Sequence, residues 1–367
     1  MNPVISNVSE EGDLYKFTLG GVNVSLANAI RRTIISDIPT LVFYTETYQD
    51  NQCVMHINTT RLHNEILKHR LSCIPIHMKE LDLLPGKYML DVDVQNDTEN
   101  MKIITTEHFR IRNKTNDNYL TKEEVRKIFP PNDKTKCFID FARIRPKIGD
   151  SIPGEHLKFT AEFSVHTAKE NSMFNVVSKC AYGNTIDTAK VSSIWEDQED
   201  ILRSEELNAD EIKFQKKNFH ILDAQRHFIE DSFDFSIQTV GVFDNKEIIK
   251  KACIVLQNKL VEMVQAIDSD TVPIMNSETT IDNCFDIILE NEDYTTGKVL
   301  EYLLYEKYYN TDKILTFCGF KKFHPHDTDS KIRLAYVQPA DRRMVGQHLR
   351  IVCIEAKDIF NKIGQMF

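Results

Sequence analysis

The stretch SLANAIRR, beginning at Ser25, lies over TTGKVLEY, beginning at Thr295, with Ser25 on Thr295, Ala27 on Gly297 and Ile30 on Leu300. Around each copy the same order is legible: a strand, a helix, further strands and a closing helix, once the middle of the first stretch is lifted out. A pseudo-repeat of this kind means two similar units, each with a helix face it cannot bury alone. Two such units fused in one chain most simply bury those faces against each other. The expected fold is therefore α+β, two modules of a sheet covered by two helices, packed as an intrachain pair.

Local patterns set the boundaries. SNVSEEGDLYKFTLGGV alternates at Leu14, Phe17 and Leu19 and breaks at Gly20-Gly21, which reads as one strand and a turn. Ser25 stands at the N-cap of the helix that follows, and Pro39 marks its end. Leu26, Ile30, Ile34 and Ile38 form its apolar stripe, with Arg31 and Arg32 off that stripe. From about residue 41 the chain becomes strand-rich, with one helical insert at TTRLHNEILKHRLSCIPIH. TKEEVRKIF is a short helix with a capping box at Thr121 and Glu124, and GEHLKFTAEFSVHT alternates as a strand. FDFSIQTVGVF is a strand that feeds a helix with Ile248, Ala252, Val255, Leu256, Leu260 and Met263 at helical period. The expected organisation is a first module at 1–47 and 225–266, an inserted β-rich domain at 48–180 and a charged helical linker at 181–224. A polar linker at 267–280 and a second module at 281–367 complete it.

Composition excludes several classes of function. Forty-five basic against 55 acidic residues give a net charge of −10, which argues against a surface built to grip nucleic-acid phosphates. It leaves room for a subunit of a nucleic-acid machine whose other chains do the gripping. No apolar run approaches the roughly 18–20 residues of a membrane span, and MNPVISNVSEEGD lacks the features of a signal peptide. Eight scattered cysteines without a CxxC pair fit reduced thiols in a cytosolic or nuclear-like compartment. There is no GxSxG, P-loop or HExxH, and LDVDV at 90–94 carries only two acids, so no catalytic residue is expected. Cys318, His324 and His326 offer three zinc ligands without a suitably spaced fourth, so no metal and no cofactor is expected.

Four collinear pieces carry a family resemblance. SLANAIRRTIISDIP resembles the alpha-motif of cellular RNA polymerases, found in the bacterial alpha subunit, the archaeal D subunit and the third-largest subunit of RNA polymerase II. NEILKHRLSCIPIH resembles that family's D/E-x-x-x-H-R-L-x-x-I-P segment through Glu65, His69, Arg70, Leu71, Ile74 and Pro75. FDFSIQTVG with the Ile248–Leu260 helix resembles its closing strand and helix. The last stretch resembles the small partner, archaeal L or the eleventh-largest subunit. It does so through Asn291, Glu292, Asp293, Thr295, Gly297 and Leu300, then Gly319, Phe320, His324 and Pro325. Departures are Tyr294, Thr296 and Lys298 in the second motif, and Asn171, Met173, Phe174 and Val176 in a loop at 168–178. Gln238 and Thr239 stand where Glu-Ser is usual.

The resemblance implies an alpha/L-type pseudo-heterodimer in one chain, a fusion habitual in large DNA viruses, acting in the virion or host cytoplasm, or in the nucleus. It implies a non-catalytic assembly platform of a DNA-directed RNA polymerase. Its partners would be the two largest subunits, the second-largest especially, and small polymerase subunits, with DNA and RNA met only through the complex. No membrane and no homo-oligomer is implied. Arg31, Arg32, Glu65, His69 and Arg70 would face the large subunits. Leu26, Ile30, Ile34, Leu256, Leu260, Thr295, Leu300 and Leu303 would form the interface between modules. Each has a plainer reading. The arginines would be solvated charges, Glu65 and His69 an i,i+4 pair, His69-Arg70 a locally satisfied turn, and the apolar faces ordinary core. Two rival functions stand beside the platform: a stand-alone interaction module with no polymerase partner, and an unrecognised metal-dependent enzyme.

Overall fold

A computed structural model describes residues 1–149, 151–205 and 207–367. The chain runs β1 (Val4–Glu11), β2 (Leu14–Gly20), α1 (Val24–Ser36), β3 (Thr40–Val42), β4 (Cys53–Asn58), α2 (Asn64–Ser72), β5 (Tyr88–Gln95), β6 (Lys102–Thr105) and β7 (Arg110–Asn113). There follow α3 (Lys122–Ile128), β8 (Asp140–Ile144), β9 (His156–Glu162), β10 (Ser164–His166), β11 (Val177–Ile186), α4 (Thr188–Ser204), α5 (Ala209–Ile221), β12 (Phe228–Thr239) and α6 (Asn245–Asp268). Last come β13 (Ile274–Asn276), β14 (Cys284–Leu289), α7 (Tyr294–Leu304), β15 (Leu315–Lys321), β16 (Ser330–Tyr336) and α8 (Arg342–Gln365). These elements divide into two compact units. One comprises Met1–Thr33, Lys179–Gln238 and Asn245–Phe367, and the other Ile34–Ser178 and Thr239–Asp244.

The first unit holds two four-stranded sheets, ordered β1-β2-β12-β11 and β13-β14-β16-β15. Each begins with an antiparallel edge pair and places the last strand in sequence third. In the first sheet Tyr15, Phe17 and Leu19 point to the buried face, as the two-residue period of a strand requires. Phe17 lies opposite Phe235, and their rings stack at 5.0 Å. In the second sheet the corresponding opposition is Ile287 with Ile332, both fully buried. One position away, Asp286 lies opposite Arg333, which grips it with two hydrogen bonds, Nε–Oδ1 at 2.7 Å and Nη2–Oδ2 at 2.8 Å.

A 24-residue helix follows each sheet, α6 after the first and α8 after the second. They run antiparallel in contact. A Cβ on Gly364 would lie 3.2 Å from that of Cys253, and Arg350 at the other end bonds Asp268 at 2.8 Å. The apolar stripes that meet there are Ile249, Cys253, Leu256 and Leu260 on α6, and Val352, Ala356, Ile359 and Ile363 on α8, all buried. Beyond α8 the chain ends on Phe367, whose ring stands edge-on to Phe17 at 4.9 Å. Second-half chain thus packs on the first sheet.

The second unit is mostly β. Sheets β4-β9-β5-β7 and β6-β8, and the β10-β3 pair, enclose a core rich in phenylalanine, with Phe109 edge-on to Phe129, Phe141 and Phe159. Its α3 has the capping box expected of Thr121 and Glu124.

Several expectations need correction. The opening strand is a hairpin, because Gly12 at φ 63° turns the chain between β1 and β2. The inserted body begins inside α1 and takes in Thr239–Asp244, rather than spanning 48–180. The segment 181–224 is no simple linker. Its first residues complete β11, and α4 and α5 bury Val191, Trp195 and Phe219 in a small core of their own. The linker at 267–280 contains β13, which pairs with β14.

Candidate subunit-interface surface

Helix α1 starts two residues earlier than its sequence suggests. Asn23, not Ser25, supplies the cap, its Oδ1 accepting the Ser25 N–H at 2.9 Å. Asp293 does the same for α7, accepting the Thr295 N–H at 2.8 Å. The two caps are thus chemically parallel, but Asn23 carries an amide where Asp293 carries a second carboxylate oxygen. That oxygen has a partner. Arg32 Nη2 donates to Asp293 Oδ2 at 2.7 Å, and Arg32 Nε donates to Thr295 Oγ1 at 2.8 Å. Burial raises the Asp293 pKa, but the Thr295 backbone N–H and hydroxyl and the Arg32 guanidinium outweigh it, leaving the carboxyl below its ordinary range.

This pair fixes the relation of the two helices. The C-terminal half of α1 meets the N-terminus of α7. At the opposite end, Asn23, Ser25 and Asn28 face Lys298, Glu301 and Tyr302 across a cavity of about 430 Å³. The helices therefore run antiparallel, and in the pseudo-repeat Tyr302 occupies the position that Arg32 occupies in α1. Ser25 Oγ, at the cavity end, is buried without a hydrogen-bond partner among the described residues. At Gly297, on α7, a Cβ would sit 2.0 Å from the Phe320 ring, so any side chain there forces that ring to move.

The residues expected between modules, Leu26, Ile30, Ile34, Leu256, Leu260, Thr295, Leu300 and Leu303, are all buried. The two arginines part company. Arg32 is turned into the chain, which corrects the expectation that both point outward. Arg31 donates from Nε to Asn28 Oδ1 at 3.0 Å and lies near β11, where its charge opposes the burial that pushes Cys180 up to about 12.

In the second unit, Glu65 and His69 are exposed one turn apart on α2, and they form no hydrogen bond or ion pair with each other among the described residues. Their i,i+4 spacing alone does not make a pair. Arg70 is engaged within its own unit: Nε donates to the Phe141 carbonyl at 2.6 Å and Nη2 to that of Asp140 at 2.8 Å. Sequence reasoning missed Asn23 as a cap and the role of Asp293 as the acceptor for Arg32. The signal was available in the parallel Asn-x-Ser and Asp-x-Thr spacings ahead of the two repeat copies.

The geometry defines a helix-paired scaffold of two like-ordered sheets. Residues 16–260, more than half of the chain, match the RNA polymerase Rpb3/Rpb11 dimerisation domain. The chain belongs to that family. Among its relatives is DNA-directed RNA polymerase subunit Rpo3 of Pyrococcus furiosus, 41% identical over 69 residues, covering 19% of this chain and 24% of the relative. Another is DNA-directed RNA polymerases I and III subunit rpac1 of Dictyostelium discoideum, 33% identical over 112 residues, covering 27% and 30%. The human subunit RPAC1 is 34% identical over 62 residues, covering 17% of this chain and 16% of the relative. The chain thus aligns with less than a third of the length of each.

Proposed function

We propose that this chain is an assembly-platform subunit of a DNA-directed RNA polymerase that carries both members of the alpha-like pair in one polypeptide. The first module would be D-like and the second, from about residue 281, L-like, with the β-rich second unit as the insertion. The observation that carries this reading is the shared strand order of β1-β2-β12-β11 and β13-β14-β16-β15 in a chain of the dimerisation-domain family. The antiparallel contacts of α1 with α7 and of α6 with α8 support it further. Fusion holds the second module at high effective concentration beside the first, removing one association step from assembly. A viral source accompanies this reading, since fusion is what separates it from the cellular subunits.

The platform contributes no chemistry of its own in this reading and presents surfaces that gather the two largest subunits. Arg31, Glu65 and His69 are the proposed contacts, with Arg32 reserved for the internal pair. A guanidinium suits planar carboxylate acceptors on a partner. Affinity purification of the tagged full chain from its native source, followed by mass spectrometry, tests the proposal. Recovery of the two largest subunits is expected. Their absence leaves the stand-alone interaction module as the better reading. Arg31→Glu is the clean surface probe, because reversing Arg32 as well would break the Asp293 contact. The single reversal should preserve the fold and lower the yield of large subunits.

A further inference from the structure

Away from the α1–α7 surface, a cleft of about 810 Å³ opens within the first unit, between the end of α6, β13 and the start of α8. Its apolar walls are Ile267, Val272, Ile274 and Ile351, the last of these 42% exposed. Three arginines, Arg342, Arg343 and Arg350, stand along the same cleft. Two of them are already neutralised. Arg350 pairs with Asp268 at 2.8 Å, and Arg342 pairs with Asp270 at 3.0 Å while also reaching the Asp270 and Val272 carbonyls. Arg343 has no hydrogen bond or ion pair among the described residues, and it is exposed. The cleft therefore combines apolar walls with one uncompensated guanidinium, on a chain whose net charge is −10.

We propose that this cleft docks a short acidic segment of a partner protein, with a carboxylate on Arg343 and an adjacent aliphatic side chain against Ile267, Ile274 and Ile351. Two physical arguments favour that occupant. A small inorganic anion would use Arg343 and leave the apolar walls wet, whereas an aliphatic side chain removes that surface from water. An acidic partner is repelled by much of this acidic chain, so a local cation beside apolar walls gives it a place to land and sets its register. The partner is defined by its chemistry alone, so the inference stands whether or not the polymerase reading does.

The test uses the intact chain and a defined probe. A pool of capped octapeptides with two Asp or Glu beside two Leu or Ile is compared with the same pool carrying Asn or Gln. Binding is read by fluorescence anisotropy. The acidic pool should bind and the amide pool should bind about tenfold more weakly. Arg343→Glu and Ile351→Ser should each cost the acidic pool a similar factor, while Arg343→Lys retains most of the binding. Both substitutions fall on exposed side chains, and unchanged circular-dichroism melting would verify the fold. Equal binding of the two pools overturns the proposal, as does no binding of either. Insensitivity to Ile351→Ser with full displacement by inorganic phosphate would reassign the cleft to a simple anion site.

Discussion

The two sheets of the first unit share a strand order and differ in what holds them. The first is aromatic: Tyr15, Phe17, Phe233 and Phe235 fill its buried face, Tyr182 flanks it at 5.3 Å from Phe235, and Phe367 closes it. The second is mixed, with Ile287, Ile332 and Leu334 beside Phe285 and Tyr336, whose rings meet edge-on at 6.2 Å, and it carries the nearly buried Asp286 clamped by Arg333 and Lys331. One topology is thus filled by two cores of different make-up, the first dominated by stacked rings and the second built around a clamped carboxylate. Chain order and apolar period suffice to specify the sheet, and the identity of the apolar residue sets only how it is packed. The helix caps make the same point with a functional consequence. Asn23 and Asp293 cap alike, but only the carboxylate has an oxygen left for Arg32, so one end of the α1–α7 pair is tied and the other holds a cavity.

Substitutions can break each half separately. Phe235→Ala removes a stacked, buried ring from the first sheet and should cost about 3–5 kcal/mol, read as a lower urea midpoint. Asp286→Ala removes the acceptor shared by Arg333 and Lys331 and should cost about 2 kcal/mol. The same carboxylate gives the second sheet a signature in pH. Hydrogen bonding from Arg333, aided by Lys331 and opposed by burial, holds the Asp286 pKa at about 2, below its ordinary 3.8. A group depressed in the folded state stabilises fully above its unfolded value. That contribution, on the order of 2 kcal/mol, should therefore fade as pH falls from about 4 to about 2. In Asp286→Asn the corresponding acid slope should be missing. Gly297→Val drives a side chain into the Phe320 ring and should cost about 1–3 kcal/mol, with the loss centred on the second half in hydrogen exchange. The smallest effect belongs to the tie itself. A double-mutant cycle on Arg32 and Asp293, both about a third exposed or less, should give a coupling of about 1 kcal/mol. A coupling of zero would mean that apolar packing alone sets the helix pairing.

Much of this was legible in the residues. The alternation of β2 and the period of α6 announce themselves because each has one dry face, and the SLANAIRR and TTGKVLEY copies align the two halves in the residues alone. The short β13 was not legible, because three residues in a polar stretch carry no period and owe their strand to pairing with β14. The core of α4 and α5 escaped for a related reason: Trp195 and Phe219 are distant in a segment dominated by charge. The fate of Arg32 could not be read from its own helix, since its partner lies 261 residues away. Local sequence gives a charged residue its place on a helix face, and tertiary structure decides whether that face looks inward.

The central claim is that the two halves are a pair that happens to share a chain. Co-expression of residues 1–269 and 270–367 as separate polypeptides, followed by native mass spectrometry, tests it most directly. A 1:1 complex of the two pieces, with neither forming a dimer of its own, is the expected result. Two independent monomers, or a preference of either piece for its own kind, would contradict the account.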